Sequence, residues 1–213
     1  MYKLIIFDFD GTLADTAPGI QVALNEVLKE NGLRPVSLED SKKMIGGGVR
    51  HLVNKLREHG YPTLPNVDVL AERFHHFYHL HYNIDSFLYP DVLETLLSLK
   101  AKLAILSNKP EQYLTPLLPQ LKLDQFDWIK IVGGDTFPTK KPDAFVFDHV
   151  IEASGFKKSE VLMVGDAEPD INGAHNTGID CCGVTYGYTP ADELKELKPT
   201  YTIDNFKELL KLV

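Results

Sequence analysis

Asp8 and Asp10 stand two residues apart, directly after the apolar run Lys3–Phe7, in the segment Asp-Phe-Asp-Gly-Thr at 8–12. In an extended segment their side chains would share one face, and Gly11 predicts a turn immediately afterwards. Two converging carboxylates repel each other, which favours a bound cation or one raised pKa. Asp166 and Asp170 follow a second apolar run, Val161–Val164, and a helical turn would bring them near each other. These four carboxylates, with no His or Cys in their loops, form a hard oxygen set of the kind magnesium takes and zinc does not. Ser107 and Asn108 follow a third apolar run, Leu103–Leu106, and offer a hydroxyl and an amide at a helix start, where an anion could be cradled. The plainer role for either is a helix cap. Lys140 and Lys141 precede Pro142, which suits a first helical position. A lysine there could neutralise a phosphate, or it could form a solvated basic pair.

A further stretch, Met44–His51, contains Gly46, Gly47, Gly48 and Arg50. Three glycines permit close backbone approach, and a helix starting near Val49 could present amides to a carboxylate or a second phosphate. The competing role is a flexible connection with Arg50 in solvent. His75 and His79 are spaced to share a helix face, yet Phe74, Phe77 and Tyr78 among them predict ring packing rather than a metal pair. The adjacent Cys181 and Cys182 read as buried thiols.

The elements that must hold these residues follow from periodicity. Runs at 3–7, 103–106, 129–132, 161–164 and near 179–184 read as short buried strands. Between the later ones, helical patterns fall at 92–99, 111–121 (broken), 143–153 and near 170–176. This alternation predicts an α/β fold with a Rossmann-like parallel sheet and helices on both faces. From Pro18 to about Tyr82 the pattern is instead helical throughout, with a stop at Asn31-Gly32. The expected organisation is a core of 1–15 and 84–213 with an inserted helical subdomain at 16–83. It would sit over the carboxyl edge of the sheet, where ligands bind in such folds.

Composition narrows the partners. Thirty acidic residues against 22 Lys plus Arg give a formal charge of -8, which argues against nucleic acid and leaves room for a local pocket for a small anion. The opening residues do not read as a signal peptide, and no run has the length of a membrane span. A cytoplasmic protein, either a monomer or a homodimer, is expected.

Taken together, the segments at 8–12, Ser107, Lys141 and Gly165–Asp170 resemble the four motifs of the haloacid dehalogenase-like hydrolase superfamily, and the helical insert resembles its C1-type cap. Ile45–Val53, Gly133–Asp143 and Gly183–Tyr188 resemble the phosphoglycolate phosphatase-like group within it. The resemblance implies a magnesium-dependent phosphatase acting on a small anionic phosphorylated metabolite such as 2-phosphoglycolate. Asp8 would be the nucleophile and Asp10 the general acid and base. Magnesium would be held by Asp8, the carbonyl of Asp10 and Asp166, with Asp170 in support. Thr12, Ser107 and Asn108 would orient phosphoryl oxygens, and Lys141 would hold nucleophile and phosphate together. Gly46, Gly47, Gly48 and Arg50 would set specificity. A carboxylate at Asp10 separates the chain from dehalogenase-like members. Pyrophosphate, nucleotides, sugar phosphates, a phosphomutase reaction and a silent binding domain are the alternatives within the same fold.

Overall fold

The protein is described from Met1 to Val213 by a computed structural model. Strand β1 (Leu4–Phe7) is completely buried and pairs in parallel with β4 (Lys102–Leu106) on one side and β6 (Val161–Gly165) on the other. Adding β5 (Trp128–Val132), β7 (Asp180–Val184) and β8 (Tyr201–Ile203) gives a six-stranded parallel sheet in the order β5-β4-β1-β6-β7-β8. The chain builds outward first to one side of β1 and then to the other. The ends of β1, β4 and β6 therefore flank the crevice where such sheets take ligands.

Side chains alternate across β1. Ile5 and Phe7 join Leu96, Leu117 and Phe206 on one face. Leu4 and Ile6 join Phe147, Ile171 and Ala174 on the other. The latter face is covered by α8 (Ala144–Ser154) and α9 (Glu168–Thr177), the former in part by α5 (Val92–Ser98).

The helical block consists of α1 (Ala17–Glu30), α2 (Leu38–Lys42), α3 (Val49–Glu58) and α4 (Val67–His81). Ile20, Ala23, Leu24, Val27 and Leu28 are the buried stripe of α1, and the helix ends at Asn31 with Gly32 at φ +66°. Ser37 caps α2 by accepting from the Asp40 amide. The apolar sides of these helices form a third cluster, including Leu24, Leu56, Phe74 and Tyr78, and Tyr113 from the sheet side closes it. Two short strands, β2 (Ala14–Asp15) and β3 (Phe87–Leu88), pair antiparallel where the chain leaves and re-enters the sheet region.

Three local expectations change. Pro142 does not open α8: Asp143 caps it by accepting from the Phe145 amide, and the helix begins at Ala144. Ser107 and Asn108 cap nothing, because α6 (Glu111–Leu114) starts three residues beyond Asn108, and α7 (Leu117–Gln120) completes the broken helix. The helix near 170 begins at Glu168, so Asp166 lies in the loop before it. The paired strands β2 and β3, strand β8 and α10 (Ala191–Glu196) were outside the sequence pattern; the strands are only two or three residues long.

Candidate active site

Asp8 extends β1 by one ladder step, its amide donating to Val164 O at 2.9 Å, so its carboxylate emerges at the carboxyl edge of the sheet. Gly11 makes the following turn at φ +84°. A Cβ there would lie 2.3 Å from Asp166 Oδ2, so only glycine lets the two loops approach this closely.

Asp8, Asp166 and Asp170 are all buried, with ligand oxygens within 4.8 Å of one another. Lys141, also buried, donates to Asp170 Oδ1 at 2.6 Å and stands 2.8 Å from Asp8 Oδ1. The approach to Asp8 is an ion pair, since the aligned hydrogen bond goes to Asp170 and Asp8 Oδ1 has no other donor. Asp170 also accepts from the Ala167 amide at 3.0 Å, which anchors the start of α9. Asp166 accepts from Thr12 Oγ1 at 3.0 Å and from the Tyr188 amide at 2.8 Å.

One ammonium against three carboxylates leaves this cluster short of positive charge. Burial, with the neighbouring Asp170 charge, pushes the Asp8 carboxyl up to about 7 despite Lys141. Burial and the charges of Asp8 and Asp170 hold Asp166 well above the ordinary carboxylate range. Burial pulls Lys141 down, but Asp170 and Asp8 outweigh it and its pKa is raised. A divalent cation among hard oxygens would remove the strain, and the donor set fits magnesium.

The other half of the site faces a cavity of about 440 Å³, a volume that includes space open to solvent. Asp8, Asp10, Ser107, Asn108 and Lys109 line its floor, and Gly46, Gly48 and apolar side chains of the helical block its roof. The amides of Phe9, Asp10 and Asn108 donate to no group within the protein. Unpaired buried amides beside a carboxylate and an ammonium could receive the oxygens of a small anion.

The sequence-predicted residues divide accordingly. Asp8, Asp166, Asp170 and Lys141 come together; Asp10 and Ser107 meet them across the cavity floor. Thr12 does not reach the cavity, because its hydroxyl is committed to Asp166. Asn108 directs its side-chain amide away from an incoming anion: Nδ2 donates to Gly46 O at 3.0 Å and to Lys141 O at 3.1 Å. Only its backbone N–H is left for a phosphoryl oxygen. Gly46 and Gly48 line the cavity, while Gly47 accepts from Lys140 Nζ at 2.6 Å on the opposite side. Arg50 is exposed and pairs with Asp68, so it lies outside the cavity.

No role in the site was read from the sequence for Lys109, Tyr78, Thr16 or Tyr188. Lys109 is buried and donates to Asp10 Oδ1 at 3.0 Å, Asp10 Oδ2 at 3.2 Å and Tyr78 Oη. Burial lowers its pKa, but the Asp10 charge and Tyr78 more than compensate, and the net shift is upward. Thr16 Oγ1 donates to Asp10 Oδ1 at 2.5 Å. Tyr188 accepts from the Thr16 amide and donates to Asp15, tying the start of α1 to the loop that fixes Asp166. A lysine directly after Ser107-Asn108 at the end of the apolar run Leu103–Leu106 was a visible signal; nothing in the spacing marked Tyr188. His75 stacks on Tyr113, as ring packing predicts.

A buried carboxylate at a strand end, an acidic cluster that could hold a divalent cation and unpaired amides at the edge of a parallel sheet fit a phosphoryl-transfer type of hydrolase site. Residues 5–184 match the haloacid dehalogenase-like hydrolase family, and the chain belongs to it. It is 35% identical over 216 residues to a phosphoglycolate phosphatase of Pseudomonas fluorescens (strain Pf0-1), covering 98% of this chain and 78% of that one. It is 34% identical to a phosphoglycolate phosphatase of Aliivibrio fischeri, covering 99% and 96% of the two chains. The crystal structure of a predicted phosphoglycolate phosphatase from Haemophilus somnus 129pt superposes with a TM-score of 0.89 at 30% identity, over 99% of this chain and 97% of that one. No helix is long and apolar enough to cross a membrane.

Proposed function

We propose that this phosphatase of the haloacid dehalogenase type hydrolyses a small phosphorylated metabolite, 2-phosphoglycolate, with magnesium and through an aspartyl-phosphate on Asp8. The observation that carries the reading is the buried Asp8–Asp166–Asp170 cluster compensated by Lys141 alone, beside three unpaired amides. Asp8, the carbonyl of Asp10 and Asp166 would hold the ion, with Asp170 keeping Lys141 in place. Bound magnesium would supply charge compensation for the phosphoryl oxygens.

The chain's own residues account for the remaining work. Asp8 Oδ attacks phosphorus while the bond to the leaving oxygen breaks, and Asp10 gives that oxygen its proton. Asp10 then takes a proton from water as the water attacks the phosphoryl group, releasing phosphate and restoring Asp8. The amides of Phe9, Asp10 and Asn108 orient the phosphoryl oxygens, with the Ser107 hydroxyl beside them. The helices of 16–83 act as a cap that keeps bulk water from this floor. The names of the relatives favour phosphoglycolate over pyrophosphate or sugar phosphates.

The test is phosphate release from phosphoglycolate, pyrophosphate, nucleoside monophosphates and sugar phosphates, with magnesium and with a chelator. Magnesium-dependent release with the highest kcat/KM on phosphoglycolate is expected. Equal rates across the panel would remove the substrate assignment, and release undiminished by chelator would remove the metal.

A further inference from the structure

Lys109 is the one cation among the residues that line the cavity. Lys141 serves Asp8 and Asp170, Lys42 pairs with Asp15, Lys140 donates to Gly47 O, and Arg50 is held outside by Asp68. The ammonium of Lys109 is buried against this lining and is held by both oxygens of Asp10 and by Tyr78. The roof opposite it is apolar, made of Ile20, Ile45, Val49, Leu52 and Phe74. Such a wall rejects an unpaired carboxylate, because burying an uncompensated charge is costly.

We infer that Lys109 is the specificity-determining residue that recognises a carboxylate on the leaving group. The substrate class is then the phosphate ester of a short 2-hydroxy acid. The inference rests on the proposed phosphomonoesterase reading. With a phosphoryl group on Asp8 and the leaving oxygen against Asp10, the next position outward lies beside the ammonium that touches Asp10. Tyr78, from the roof helix α4, fixes this ammonium by accepting one of its protons, so the lysine is preset before substrate arrives. An ammonium has three protons, and here the other two are shared by the two oxygens of Asp10. A substrate carboxylate displaces one Asp10 oxygen from Lys109 and leaves that oxygen facing the leaving group. Recognition of the anion thereby also readies Asp10, and an ester of the same size whose leaving group carries no charge gets neither effect.

The experiment compares kcat/KM for 2-phosphoglycolate with that for 2-hydroxyethyl phosphate, an ester of matched size whose leaving group carries no charge. The comparison is made in the wild type, Lys109→Met and Lys109→Arg. The wild type is expected to prefer the carboxylate ester by about 100-fold or more, the scale of truncating one partner of a buried charge pair. Lys109→Met brings the ratio to within a few-fold of one, and Lys109→Arg keeps part of it. A wild-type ratio near one overturns the inference without recourse to any variant. An unchanged ratio in Lys109→Met, with both rates lowered together, also overturns it and makes Lys109 a support for Asp10 only. Turnover of p-nitrophenyl phosphate but of neither ester sinks the inference and leaves the phosphatase standing. No turnover of any ester sinks the phosphatase reading and the inference with it.

Discussion

Asp8 shows how burial and charge set the chemistry of a single group. With Asp170 beside it and only Lys141 opposing, its carboxyl stays protonated up to about pH 7 when no cation is bound. The ionised form is the one that ligates a metal, so protons and magnesium compete for it. Apparent magnesium affinity is therefore predicted to fall as the pH drops through about 7 and to recover above it. Stability follows with the same sign. Between its ordinary carboxylate value and about 7, native Asp8 holds a proton that the unfolded chain has released, so raising the pH through this window destabilises the metal-free protein. Added magnesium offsets the loss at high pH. At about a hundred times its dissociation constant a ligand contributes roughly 2.7 kcal/mol, and a chain of this size gains roughly 2–4 °C per kcal/mol. Thermal unfolding with and without magnesium, near pH 6 and near pH 8, should give the larger gain at the higher pH. Equal gains would contradict the coupling. The four carboxylates were legible because they follow apolar runs, and Lys141 because it stands directly before Pro142. The commitment of the Thr12 hydroxyl to Asp166 and of the Asn108 amide to Gly46 was not, since both bonds cross between segments far apart in the chain.

Among the elements, the backbone carbonyls of the glycine loop provide part of the contact between the helical block and the sheet edge. Asn108 Nδ2 donates to Gly46 O and Lys140 Nζ to Gly47 O. At Gly48, with φ +81°, a Cβ would come within 2.6 Å of Lys140 Nζ, so the lysine closes directly over the loop. Burial draws the Lys140 pKa down, as expected for an ammonium held at an interface. Lys140→Met removes one charge-assisted hydrogen bond of about 1 kcal/mol. The expected result is a KM raised about five-fold, kcat changed by less than about two-fold and an unfolding midpoint within a few degrees. A fall in kcat with KM unchanged would show that Lys140 acts on the chemistry and not on docking. Periodicity made α1, α3 and α4 and the strands of the sheet readable, because one-sided burial imposes a repeat on the sequence. Strands β2 and β3 are too short to carry a repeat, and the start of α8 depends on whether Pro142 opens the helix or Asp143 caps it, which the backbone fold decides.

For the whole molecule, the arrangement joins two apolar layers on either side of a parallel sheet to a third cluster in the helical block, with the reactive carboxylates where the two bodies meet. The alternation of strands and helices made the sheet legible, and the uninterrupted helical stretch made the insert legible. Strand order was not written in either, because it depends on which strand ends pair across the switch at β1. The account turns on one covalent step, transfer of the phosphoryl group to Asp8. The direct measurement is rapid acid quench of the protein with magnesium and phosphoglycolate, followed by borohydride reduction and mass-spectrometric mapping. A phosphoglycolate-dependent reduction product is expected on the peptide containing Asp8, rising before free phosphate and missing in Asp8→Asn, which should also lose turnover. Phosphate release at the full rate from Asp8→Asn, or a product mapped to another residue, would contradict it.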